Sequence, residues 1–77
     1  MQAGQYDQAL PLLQQAVQKL SGTGSTAEAY ALYNLAFTEF ALGQCGDVSS
    51  LLDQSEQIQG RRKEIDRLRK QVRKSCG

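Results

Sequence analysis

The chain has 77 residues, two cysteines, one proline and no histidine, and its formal net charge is +1. That length makes one small domain or a fragment of one, and a chain so short buries only ~60% of its unfolded surface and gains from any cross-link. Without histidine, a clustered set of metal ligands, a phosphate-binding loop or a nucleophile beside a base, the common catalytic and metal-site constellations are excluded, so a non-enzymatic protein needing neither metal nor cofactor is expected.

A first helix is predicted over 7–20. Ala9, Leu12, Leu13, Ala16, Val17 and Leu20 fall at i, i+3, i+4, i+7, i+8 and i+11, which is one helical face. Asp7 is placed to cap its start, and Pro11 lies in or just past the first turn, where a missing N–H is cheap. Ser21-Gly22-Thr23-Gly24-Ser25-Thr26 breaks the chain, and Ser25 or Thr26 is available to cap a second helix over 27–42 that Gly43 stops. A third helix over 47–59 has Val48, Leu51, Leu52 and Ile58 as its apolar stripe, and Gly60 breaks or bends the chain after it.

A fourth helix over 61–75 shows Ile65, Leu68 and Val72 at i, i+3 and i+7, with charge on its other sides. Here the modest net charge resolves into two halves: residues 1–60 sum to −5 and residues 61–77 to +6, an acidic body ending in a basic segment. Leu51, Ile58, Ile65 and Val72 also recur every seven residues, as in a coiled-coil seam that would fuse the third and fourth helices into one rod. Against that, the matching d positions Gln54, Arg61, Leu68 and Ser75 are mostly polar, and Gly60 inside a helix costs about 1 kcal/mol. A helix–turn–helix is the expected form.

The chain also repeats itself. Gly4-Gln5-Tyr6-Asp7-Gln8-Ala9-Leu10-Pro11-Leu12-Leu13 returns 39 residues later as Gly43-Gln44-Cys45-Gly46-Asp47-Val48-Ser49-Ser50-Leu51-Leu52, with four of ten positions identical. Such a period signals stacked helical units. Leu32, Leu35, Ala36, Gly43, Cys45, Val48, Leu52 and Ser55 stand where the tetratricopeptide repeat places its large, apolar and small residues, its turn glycine, and the aromatic, small, large and small residues of its second helix. Gly4, Tyr6, Ala9, Leu13 and Ala16 match the same signature from its turn onward. Residues 4–59 thus resemble that family, with Leu32 in place of its usual Trp, Cys45 of its aromatic and Val48 of its Ala. The family repeat is about 34 residues, so the longer spacing implies an insertion in the Gly/Ser/Thr loop.

The resemblance implies an all-α, antiparallel helix-hairpin repeat: a solenoid fragment of four helices in a single domain over 1–77. Within it, 5–21 is the second helix of a truncated repeat, 27–59 a full repeat, and 61–76 a basic capping helix. Core positions expected on this register are Leu32, Leu35, Leu52, Ile65 and Leu68. Met1 reads as an added initiator on a piece of a longer protein, and Met1-Gln2-Ala3-Gly4 lacks the regions of a signal peptide. No apolar run approaches the ~18 residues of a membrane span.

Function follows from the faces such a fold presents. In the family the first helix of each repeat lines the concave side, which here carries Tyr30, Tyr33, Phe37 and Phe40 on one stripe. That stripe is either a groove for a protein or peptide partner, including the parent chain itself, or packing against neighbouring helices. Asn34 aligns with an asparagine that some members use to clamp a peptide carboxylate, but the second helix carries no lysine or arginine to complete a clamp. Arg61, Arg62, Arg69 and Arg73 represent a basic surface that surrounds the fourth helix and lacks interleaved aromatic residues. It reads first as a solvated cap and second as a nucleic-acid or anionic-membrane contact.

Cys45 and Cys76 have a pairing written into the hairpin. If the chain reverses at Gly60, arms of ~22–24 Å bring them side by side at the open end, and a disulfide there would place the protein outside the cytosol. Two unrelated thiols, or a reactive Cys45 at a helix N-terminus in a cytoplasmic protein, are the alternatives. Apolar surface left uncovered beside the first helix also makes a homo-oligomer expected.

Overall fold

Two glycines with left-handed backbones set the ends of the central hairpins. Gly43, at φ 79°, follows a helix whose last carbonyls are closed by Gly43 N–H donating to the Phe40 carbonyl (3.0 Å) and Gln44 N–H to the Glu39 carbonyl (2.8 Å). This is the Schellman arrangement, and an L side chain there would be strained. Gly60, at φ 83°, donates to the Glu56 carbonyl at 2.7 Å and ends the next helix. The long-rod alternative is therefore excluded.

The computed structural model describes residues 3–76 and contains four helices: α1 Ala3–Leu20, α2 Thr26–Ala41, α3 Val48–Gln59 and α4 Lys63–Cys76. Consecutive helices are joined by residues 21–25, 42–47 and 60–62, so each must fold back on its predecessor. The principal extents are 31 × 26 × 20 Å. Ser25 is the cap of α2, its Oγ accepting the Glu28 N–H at 3.1 Å.

Two boundaries differ from the sequence expectation. α1 begins at Ala3 instead of residue 7, so Asp7 is not its cap and Gly4-Gln5 lie in a helix, whereas their repeat partners Gly43-Gln44 form a turn. Pro11 thus sits inside α1; Pro11 and Asp7 are both exposed, so the missing Pro11 N–H falls on the solvent side of the helix, where its loss costs least. α4 begins at Lys63, which leaves Arg61 and Arg62 in the connection.

α2 is central and packs on the other three helices. Its Leu32, Leu35 and Ala36 meet Val48, Leu51 and Leu52 of α3 and Ile65, Leu68 and Val72 of α4 in one core, with Leu10, Leu13 and Val17 of α1 half-buried against it. Ser55 is fully buried between helices, its hydroxyl donating to the Ala29 carbonyl at 2.9 Å. A residue of its small size is needed because α3 approaches the α2 backbone there.

The ends of α3 and α4 are tied as the hairpin geometry requires. Cys45 and Cys76 form a disulfide with Cα atoms 6.2 Å apart. Between them Arg69 reaches from α4 to Asp53 (2.6 Å) and Glu56 (3.5 Å) on α3.

The inserted loop has an organiser that sequence reading missed. Glu28 is buried, and its carboxylate accepts the Gly24 N–H (2.8 Å), the Gly22 N–H (3.2 Å) and the Thr23 hydroxyl (3.4 Å). Gly22 and Gly24 both have positive φ, which turns their N–H groups toward that side chain. The signal was present as Ser25-x-x-Glu28, a capping box whose glutamate gathers the loop in place of the cap's own N–H.

Candidate functional site

The side of α2 that faces α4 carries Tyr30 and Tyr33. The last turn of α3, the connection after it and the start of α4 supply the opposite wall: Gln59, Arg62, Glu64 and Ile65, with Asn34 and Ser55 completing a hollow of about 170 Å³. A second hollow, also about 170 Å³, continues along the same seam between Tyr33 and Phe37 on one bank and Glu64, Arg67, Leu68 and Gln71 on the other. The two share Tyr33 and Glu64, so they form one groove between α2 and α4.

Its polar rim is pre-set. The Arg62 guanidinium lies over the Tyr30 ring at 5.1 Å and pairs with Glu64 at 3.2 Å. Burial, and then the Glu64 charge, hold the Tyr33 phenol above its ordinary value, so it stays neutral and available as a hydrogen-bond donor. A polar rim over an apolar floor suits a partner side chain that buries an apolar body and leaves a polar edge outside.

Phe37 divides this groove from a third hollow. Its ring stands 6.4 Å from Tyr33 and 6.1 Å from Tyr6, both tilted. On its far side Ala9, Leu12, Leu13, Asn34, Phe37 and Thr38 enclose about 390 Å³ of apolar space between α1 and α2. Leu12 at that edge is 66% exposed.

Of the stripe expected from sequence, Tyr30 is exposed, Tyr33, Phe37 and Phe40 are half-buried, and Phe40 packs against the core without lining any of these hollows. Residues Gln59, Arg62 and Glu64 were not foreseen as the groove's second bank. Asn34 shares the first hollow with Arg62, so a cation stands near it after all, supplied by the α3–α4 connection and already engaged by Glu64. The basic surface is likewise sorted by the fold: Arg61 pairs with Asp66 at 3.3 Å, Arg62 with Glu64 and Arg69 with Asp53 and Glu56, while Arg73 is exposed and pairs with no described residue.

A model of the tetratricopeptide repeat matches residues 1–72. This chain belongs to the tetratricopeptide repeat family. No curated protein and no solved structure matches it. Tetratricopeptide repeats are typically non-catalytic modules of protein–protein interaction, and the match suggests such a module here. Among the described residues no helix is long and apolar enough to cross a membrane.

A depression on the opposite side of this tetratricopeptide repeat chain has a different character. Glu39 and Asp47 face it beside Gln14, Gln18, Ser50 and Gln54, with no cation in its lining. Burial, and then Asp47, raise the Glu39 carboxyl above its ordinary value. The folded state therefore holds the Glu39 proton more tightly than the unfolded chain, and stability falls as pH rises through the carboxylate range to that raised value. Glu39→Gln removes the disfavoured charge. It is expected to unfold at higher temperature than wild type at pH 7, with the gain vanishing below pH ~4, where both states of the wild-type residue are protonated. Paired thermal melts at the two pH values check this.

Proposed function

We propose that the α2/α4 groove is the surface through which this tetratricopeptide repeat binds a protein or peptide partner, and that the chain acts as a scaffold or sensor element without catalysis. The observation that carries the reading is the juxtaposition of Tyr30 and Tyr33 with Arg62, Glu64 and Gln59 around a concave, apolar-floored seam. Tyrosines on a groove bank give large contact area with few rotors to freeze, and they are enriched among the residues that dominate binding energy. In this reading 27–59 is a complete repeat, α1 is the second helix of another, and α4 takes the place beside α2 that the next repeat's first helix would hold. α4 thereby caps the stack and builds the second bank.

The test is selection of peptides from a random display library on the disulfide-bonded protein, followed by affinity measurement on wild type and on Tyr30→Ala. The expected result is peptides with a shared aromatic or aliphatic anchor that lose at least about 30-fold in affinity on Tyr30→Ala. Peptides that bind both proteins equally would remove the groove from the account.

Self-association is a second reading, favoured by Leu12 standing exposed over the apolar hollow between α1 and α2. A concentration-dependent mass in light scattering, abolished by Leu12→Gln, is expected; a monomer at all concentrations removes it.

A further inference from the structure

The sequence shows eight cations distributed around the basic segment. The fold divides them. Arg61, Arg62 and Arg69 are spent on carboxylates of this chain. Lys63, Arg67, Lys70, Arg73 and Lys74 are exposed and form no ion pair among the described residues.

At 100° per residue, Lys63, Arg67, Lys70 and Lys74 lie within about 60° of one another and span about 16 Å of helix length. They stand opposite Ile65, Leu68 and Val72, which are buried in the core. Arg73 falls to one side. Once the paired residues are set aside, α4 therefore carries a crest of four cations with no carboxylate in it. Glu64 and Asp66 lie on the two opposite shoulders of that crest.

We propose that this crest docks the domain on an anionic lipid surface. The face of α4 that would insert into a bilayer is already consumed by the core, so the contact is electrostatic and reversible, not an insertion. Clusters of four or more cations on one helical face are the composition that anionic headgroups attract.

The shoulders decide between a plane and a groove. A flat surface meets the crest alone and leaves Glu64 and Asp66 pointing away from it. The groove of a nucleic-acid duplex would enclose the helix on both flanks and bring phosphates against the Glu64–Arg62 and Asp66–Arg61 pairs, which offer them no net positive charge. α4 also carries no aromatic residue on which bases could stack. Arg67 belongs both to the crest and to the rim of the α2/α4 groove, so docking leaves that groove open at the edge of the surface.

The test is co-sedimentation with vesicles of phosphatidylcholine alone and of phosphatidylcholine with one-third phosphatidylglycerol. Wild type is compared with Lys70→Gln/Lys74→Gln and with Arg61→Gln/Arg73→Gln. Both variants remove two exposed cations, and neither touches the core, so equal helical circular dichroism is required of each. Binding to the anionic vesicles only is expected, with partitioning lowered roughly 30-fold in the crest variant and under about 5-fold in the control. Equal losses in the two variants would reduce the effect to net charge and overturn the proposal, as would no binding to anionic vesicles. A DNA duplex that binds wild type as tightly at the same salt, and is released by the crest variant, would overturn it in favour of nucleic acid.

Discussion

Eliminating the Cys45–Cys76 bond, by the Cys45→Ala/Cys76→Ala double variant, is expected to lower the unfolding free energy by about 3–4 kcal/mol. The bond spans a sequence separation of 31 residues, so it removes a large loop-closure entropy from the unfolded chain. For a domain whose whole stability should be roughly 4–12 kcal/mol, that is a major share. The structural consequence is local as well. The remaining polar ties of α4 to α3 are those of half-buried Arg69 with exposed Asp53 and half-buried Glu56, and ion pairs that solvent still reaches contribute only about 0.2–1 kcal/mol each. Ile65, Leu68 and Val72 then carry the docking of α4 almost alone. Chemical denaturation should show the loss in midpoint, and amide exchange should show α4 losing protection before α2. Oxidised wild type and the variant unfolding at the same denaturant concentration would mean that the two sulfurs are not joined in the folded protein.

Leu52→Ala is expected to cost about 2–5 kcal/mol, while Leu12→Ala stays within about 0.5 kcal/mol of wild type. Both remove the same three carbons from a leucine on a helix, so propensity does not distinguish them. Position does. Leu52 has no exposed surface and sits in the cluster where α2, α3 and α4 converge, whereas Leu12 is 66% exposed on α1. The void left at residue 52 would be walled by three helices, beside a Ser55–Ala29 hydrogen bond that already ties α3 to α2 and opposes collapse. Equilibrium unfolding of the two variants side by side checks the contrast. A Leu52→Ala cost below about 1 kcal/mol would place the core elsewhere.

The elements that the sequence disclosed are those whose signals are local. The apolar spacing of α3 and α4, the cap at Ser25, and the turns at Gly43 and Gly60 follow from residues within one or two helical turns. The five expected core residues, Leu32, Leu35, Leu52, Ile65 and Leu68, are all buried because the repeat register fixes which face of each helix turns inward. The disulfide was legible because helix rise and a single reversal determine where the two arms end.

What was not legible depended on contacts between elements. Pro11 read as an N-terminal signal, yet an exposed backbone tolerates it inside α1. Glu28 carried no expectation beyond its charge, and only the closure of the loop over it shows three donors converging on its carboxylate. Tyr30 and Tyr33 were visible as a stripe, but their opposite bank of Gln59, Arg62 and Glu64 exists only because α4 lies beside α2. The division of the cations into paired and unpaired sets has the same origin: Arg69 is neutralised by α3, which lies far from it in sequence.

The most direct measurement of the groove's role is backbone amide chemical-shift mapping during titration with the tightest display-selected peptide. The account predicts shifts confined to the two banks, at Tyr30, Tyr33 and Phe37 on α2 and at Gln59, Arg62, Glu64 and Arg67 opposite, with α1 beyond Tyr6 unmoved. Shifts centred on Leu12, Leu13 and Thr38, with Tyr30 and Arg62 unchanged, would contradict it and assign partner binding to the α1/α2 hollow instead.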